Sequence, residues 1–423
     1  MSTKKLFKNY GGEKMKKLFL LSILMFVFTA LVSAANVTIW FAGTTGSLMD
    51  LVDNEMIPTF EEENPEINVR AEFIPWGELS TKLTTSFAGG IGPDIFMHGQ
   101  AAIAGFAANE VIRPIDDLIP LLEDPSDFGA SLDVGKYLGK AYFVPVFGSG
   151  QLLVYRADFF EEAGLDPNEP PITWEQLKAY AKATTVTSHG RITRAGMALP
   201  VEGIDIQQIW TGFLVQNGGR LFDEDMNPVF NSPRGVEALE FYVDLIRNQN
   251  VCPDTGVTSI GNVPPVGAGT AAMAYMSMEL VNDIMLYAPD VEDEIRVALS
   301  PARYQRGSFY SFAGFMVSKS TKDLDATIKV LKYFTSKEAI IDINKALGSL
   351  PPRQSSVQAE FVAEDPLLQM YVKGSKYAFG NPNVPFWVQA RDIISKYLER
   401  AVRGVLEPKV ALDRAANEII DLK

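Results

Sequence analysis

Hydrophobic positions along the chain follow two alternating periods. Runs rich in β-branched and aromatic residues at 37–41 (VTIWF), 67–74 and 94–97 predict strands. Between them, Leu48, Leu51, Val52, Ile57 and Phe60 recur on one helical face, with Ser47 as cap and Asn64-Pro65 as stop. Pro58 predicts a kink in that helix. Residues 78–88, ended by Gly89-Gly90, and 101–109 predict further helices. Strands alternating with helices imply βαβ units and a parallel sheet. An extended 142–145 leads to Gly148-Ser149-Gly150, read as a flexible joint before a strand at 151–155. Thr173 with Gln176 three residues on forms a capping box. Helices follow at 174–184, 205–217, 233–248, 325–333, 336–346, 388–402 and about 408–421, and 264–269 reads as a loop.

One run has neither period. Residues 18–32 are apolar, preceded by Lys14, Lys16 and Lys17 and followed by Ser33-Ala34-Ala35. A basic start, a short apolar stretch and a small-residue end predict a secretory signal at 1–34, cut near Ala34-Ala35. Fifteen residues fall short of the ~20 a spanning helix needs. Met15 is an alternative start. No Cys lies near the cut, so the expectation is a periplasmic protein without a lipid anchor.

The 423-residue chain is long enough for two domains. Its formal charge is −14, and the first 34 residues hold six Lys against one Glu, leaving about −19 on the remainder. Such acidity disfavours nucleic acid as a partner and favours a soluble monomer. Cys252 is the single cysteine, and the two histidines, His98 and His189, are far apart, so neither a disulfide nor a zinc site is expected.

Gly267–Ala272 matches G-x-G-x-x-A, but Pro264-Pro265 stands where a dinucleotide fold needs a strand. No phosphate-binding G-x-x-x-x-G-K-[ST] and no G-x-S-x-G occur. No cofactor is expected. The 26 Phe, 14 Tyr and 5 Trp suit a ligand with apolar faces and polar edges, as a sugar has. Trp174 reads as packing across its turn. Trp40, Trp76 and Trp210 read as either core or site. Trp387, following Pro385-Phe386 at a helix start, reads more strongly as site.

The motif order resembles the family 1 extracellular solute-binding proteins of ABC importers, the maltose-binding type. The resemblance runs through VTIWFAG at 37–43, SFAGGIGPDIF at 86–96, GKAYFVPVFGSGQLLVYRADFFEEAGL at 139–165 and PPITWEQLKAYAK at 170–182. It continues in NGG at 217–219, GTAAMAY at 269–275, GFMVSKST at 314–321, GSLPPR at 348–353 and PFWVQARDII at 385–394. Arg156 departs from the usual Asn.

The resemblance implies an α/β fold of two lobes with three hinge crossings and a ligand cleft between them. The lobes fall at 36–145 plus 304–357 and at 149–300 plus 360–423. It implies a non-catalytic carrier that closes on a sugar or short oligosaccharide and delivers it to an ABC permease. The implied ligand residues are Trp387, Thr44, Thr45, His98, Gln100, Ser149 and Glu279. Ser149 and Glu279 differ from the maltose type. A glycerol phosphate or other polar metabolite is the alternative ligand, with Arg353 as the nearby cation. A secreted carbohydrate-active enzyme and a sensory role are the remaining rivals.

Overall fold

A computed structural model describes residues 34–422. The apolar run at 18–32 and its basic flank lie outside the described residues. The strands are β1 Ala35–Ala42, β2 Ile67–Ile74, β3 Ile95–Gly99, β4 Val144–Gly150, β5 Leu152–Arg156, β6 Met273–Met276, β7 Ile295–Ala298, β8 Ser308–Val317 and β9 Ala378–Phe379. The helices used below are α1 Gly46–Leu51, α2 Ile57–Glu63, α3 Trp76–Ala88, α4 Ile103–Ala108, α5 Trp174–Thr184, α6 Gly203–Gln216 and α7 Pro233–Arg247. They continue with α8 Met278–Tyr287, α9 Leu324–Phe334, α10 Lys337–Leu347, α11 Pro366–Gly374, α12 Trp387–Val402 and α13 Pro408–Ile420.

Lobe 1 is built on a six-stranded sheet in the order β9-β8-β3-β1-β2, with β4 paired to β8. β1 pairs parallel with both β2 and β3. Its VTIWF segment is therefore covered on both faces, which is why it reads as a nearly unbroken apolar run. Phe41 anchors the core, 5.2 Å from Phe73 and 5.5 Å from both Phe315 and Phe334. Lobe 2 carries the three-stranded sheet β6-β5-β7, in which both neighbours run antiparallel to β5. The expected parallel alternation thus holds for one side of lobe 1 and is corrected elsewhere. β8 runs antiparallel to both of its neighbours β3 and β4, because β8 brings the chain back from the other lobe while β4 carries it out. The lobe 2 core includes Trp174 stacked on Phe241 at 4.4 Å.

The helices expected from periodicity at 174–184, 233–248, 325–333 and 388–402 are α5, α7, α9 and α12, within a residue or two. Thr173 caps α5 through its Oγ1, 3.2 Å from the Gln176 amide. The Gln176 side chain reaches back to the Ile172 amide at 2.9 Å. Thr173→Ala is expected to cost about 1 kcal/mol of stability, measurable by urea unfolding. Pro58 produces a different irregularity from a sharp kink. It lacks the N–H that a regular turn would donate, and the chain widens into a π-helical turn, Val52–Met56, between α1 and α2.

The segment read as a flexible joint is ordered strand. Gly148 exchanges backbone bonds with Leu350, at 2.7 and 3.1 Å. Ser149 and Gly150 pair with Ser311 and Tyr310 of β8. The glycines serve close approach here: a Cβ on Gly148 would lie 1.9 Å from the Tyr310 hydroxyl. Three stretches of chain thus meet at the boundary between lobes: β4 into β5, β7 into β8, and the stretch beyond Leu350.

Candidate functional site

The lobes touch on both flanks of these crossings. On one flank α8 of lobe 2 lies against lobe 1. Ser149 Oγ donates to Glu279 Oε2 at 2.9 Å, and Asn282 Nδ2 donates to the Ala346 carbonyl at 3.3 Å. The Tyr287 hydroxyl sits 3.4 Å from where a Cβ on Gly46 would stand. On the other flank the stretch before α12 meets α4. The Ala104 amide donates to Asn383 Oδ1 at 2.9 Å, and Asn383 Nδ2 donates to the Lys136 carbonyl at 3.3 Å. The carboxyl ends of the parallel strands β1, β2 and β3 open between these flanks, where sheets of this kind hold their ligands.

From the end of β1 the chain turns at Gly43, whose φ of 92° is accessible to Gly at little cost. Thr44 follows, exposed, and Thr45 is half-buried before α1. The end of β2 delivers Trp76, at the first position of α3. Its Nε1 lies 3.2 Å from the Cβ position of Gly43. At 37% exposure, Trp76 is the one large tryptophan surface open to solvent among the described residues. The end of β3 supplies His98 edge-on to Trp76, with ring centroids 6.3 Å apart.

The other tryptophans named as site candidates, Trp40, Trp210 and Trp387, are buried in this structure. Trp210 is 0% exposed and sits edge-on to Phe230 inside lobe 2. Trp40 is 4% exposed in the lobe 1 core, with the Lys82 ammonium 4.8 Å from its ring centre. Trp387 is 2% exposed, edge-on to Phe222 in the lobe 2 core, so no ring face is free to stack. Its helix carries Arg391 one turn on from Trp387.

His98 is likewise engaged by the protein. Its Nδ1 accepts from the Gly99 amide at 2.8 Å, and its Nε2 lies 3.0 Å from Ser80 Oγ. Nδ1 as acceptor places the proton on Nε2, which donates to the serine. Burial first, and then the Arg391 guanidinium nearby, hold the imidazole neutral with its pKa lowered to about 3. Between pH 6.5 and about 3 the unfolded chain binds a proton at this site that the folded chain refuses. This contribution to stability is complete above pH 6.5 and is lost as pH falls, by at most about 1.4 kcal/mol per pH unit. Urea midpoints at pH 7 and pH 5 check this, and His98→Gln is expected to flatten part of the decline.

Gln100 spends its Oε1 on the Phe312 amide at 3.1 Å. Ser149 and Glu279 are brought together but spend a bond on each other. Arg353, the expected cation for an anionic ligand, is corrected outright. It is fully buried and donates to the carbonyls of Asp124, Glu123 and Thr335 at 3.2, 2.8 and 2.7 Å. A cation near enough to act on His98 is Arg391. Sequence reasoning passed over it because i+4 spacing from Trp387 marks only a shared helix face, not what that face meets. Arg391 also holds Asp392 Oδ1 through Nε and Nη2, at 2.9 and 2.8 Å.

Cys252 is buried, and burial pushes its thiol up to about 11. Gly267–Ala272 is a turn leading into β6, not a strand-to-helix elbow. Among the described residues, no group of three or more His, Cys, Asp or Glu is placed to hold a metal ion. No described helix is long and apolar enough to cross a membrane.

Two α/β lobes, three crossings and a boundary where strand ends and a bare tryptophan converge define a two-lobed solute-binding protein. The chain belongs to the bacterial extracellular solute-binding protein family, whose profile matches residues 42–341. It is 26% identical to the mannitol-binding protein of Pseudomonas aeruginosa over 352 residues, 77% of this chain and 76% of that one. It is 23% identical to the sn-glycerol-3-phosphate-binding periplasmic protein of Escherichia coli over 88% of this chain and 89% of that one. A solute-binding protein of Thermotoga lettingae, solved with α-D-tagatose, superposes with a TM-score of 0.83 at 25% identity, covering 91% of this chain and 98% of that one.

Proposed function

We propose that this protein captures a neutral sugar or short oligosaccharide between its lobes and presents it to the permease of an ABC importer. The observation that carries the reading is the exposed Trp76 against the Gly43 turn, which Thr44 and Thr45 follow at the strand ends. A flat ring accepts the C–H face of a sugar while hydroxyls and backbone groups bond its edges. The mannitol and tagatose binders among its relatives support this chemistry. No step here calls for catalysis, so the protein acts by binding alone. Ligand held to both lobes favours the closed arrangement, and rotation about the crossings releases it. The signal-like segment at 1–34 supports export. A cut at Ala34-Ala35 leaves β1 whole.

A second reading, an anionic metabolite such as a glycerol phosphate, is favoured by Arg391 and by the Escherichia coli relative. Against it, the Asp392 carboxylate already faces that guanidinium. A thermal-shift screen of sugars, sugar alcohols and their phosphates separates the two, since binding raises stability by mass action. The sugar reading expects its best hit to be neutral and to bind with little dependence on salt. A phosphorylated hit whose affinity falls with salt and disappears in Arg391→Ala would replace it.

A further inference from the structure

Helix α8 turns one face toward lobe 1, and that face carries two acids. Glu279 is in its first turn, bonded at 2.9 Å to Ser149 of the crossing strand β4. Asp283 lies one turn on, beside Asn282, which bonds the Ala346 carbonyl at the end of α10. The fit is close, since a Cβ on Gly348 would meet the Asn282 side chain at 2.8 Å. Both carboxylates are half-buried at this contact, and among the described residues no Lys or Arg is paired with either of them. We propose that closing the lobes takes up a proton at the Glu279–Asp283 pair, so that ligand is held more tightly as the medium turns mildly acidic. This rests on the hinge-closing reading above and adds a proton to it.

The groups around the pair are accounted for. The Tyr310 hydroxyl from β8 and the Tyr371 hydroxyl from α11 sit beside Glu279, and both remain neutral because burial raises them far above their ordinary value. Tyr371 bonds the Met276 carbonyl at 2.6 Å. On α10, Lys345 stands 5.9 Å from the Phe361 ring centre. In the turn after α8, Asp290, Glu292 and Asp293 are exposed and Glu294 is half-buried. β4 contributes no ionisable side chain. Burial raises Glu279, and burial with the Glu279 charge raises Asp283 to about 6. A folded pKa that closure raises means the closed form holds more protons than the open one. Closure is then favoured as pH falls through 6 and loses that advantage above it, by as much as about tenfold in the closed-to-open ratio per pH unit.

Small-angle scattering of the ligand-free protein at pH 5.0 and pH 8.0 tests this, alongside the double variant Glu279→Gln, Asp283→Asn. The wild type is expected to show a smaller radius of gyration at pH 5.0, and the variant the same compact value at both. The variant separates the pair from the general loss of negative charge in acid. Equal wild-type profiles at the two pH values, or a variant that keeps the full pH response, overturns the proton linkage. Adding D-tagatose, mannitol and maltotriose at millimolar concentration to both proteins distinguishes the two levels. Compaction by one of these sugars without any pH response leaves hinge closure standing and removes the proton. No compaction by any sugar, together with no pH response of the ligand-free protein, removes both.

Discussion

Trp76→Ala is expected to weaken binding of the best neutral ligand by about 2 kcal/mol or more, near 30-fold, while the melting temperature of the free protein stays within a degree or two. The ring is more than a third exposed, so its removal leaves no closed cavity and little lost core. Its neighbours on the protein are the turn at Gly43 and, perpendicular to it, the ring of His98, and they leave more than a third of it exposed. A sugar stacking there would bury apolar surface on both partners, and that gain disappears with the ring. Trp387→Ala is the informative contrast. That ring is packed in lobe 2, so its loss is expected to cost about 3–5 kcal/mol of stability. Calorimetric titration for affinity and urea unfolding for stability read the two effects apart. Equal affinity in a folded Trp76→Ala protein would move the ligand wall elsewhere.

Arg353→Ala is expected to destabilise the protein by about 3–5 kcal/mol, with any ligand affinity that survives in the folded fraction unchanged. The guanidinium donates to three backbone carbonyls, lies 3.6 Å from Asp127 Oδ2 and covers the Phe128 ring at 4.1 Å. Truncation leaves those carbonyls and Asp127 without their partner inside lobe 1. Asp127 retains only its bonds from Ser355, at 2.8 and 2.6 Å. Arg353→Lys is not a rescue, because one ammonium cannot reproduce the planar fork that spans three acceptors. Chemical denaturation with and without ligand measures both quantities. A stable Arg353→Ala protein that had lost a phosphorylated ligand would restore this residue to the site.

The two substitutions mark where local pattern stops being informative. Strand β2 coincides with the alternating apolar and polar stretch at 67–74, and α5 with the segment opened by Thr173 and Gln176, because both depend on neighbours a few residues away. Thr44 and Thr45, in the loop after β1, were named through the family resemblance, while Trp76, after β2, read as either core or site; the parallel pairing of β1 with β2 sets these two turns side by side. Helix α8 itself passed unremarked, and Asp283 with it, although Glu279 was named through the family resemblance. Its side chains meet Ala346 and Ser149, which are 64 and 130 residues distant.

By itself the sequence determined a signal-like start, a βαβ opening, most long helices and, through ordered motifs, membership of a two-lobed family. Periodicity, capping and Gly/Pro punctuation are local, so they survive in one dimension. Only the tertiary structure decided which tryptophan is bare. Trp76 and Trp387 both begin helices after a proline-containing stretch, yet one edge is left at the cleft and the other is covered by Phe222. It also decided which arginine is structural, by closing the carbonyls of residues 123, 124 and 335 around Arg353. Burial is a property of what the rest of the chain brings to a residue. That is set by packing between segments hundreds of residues apart, where no local pattern reaches.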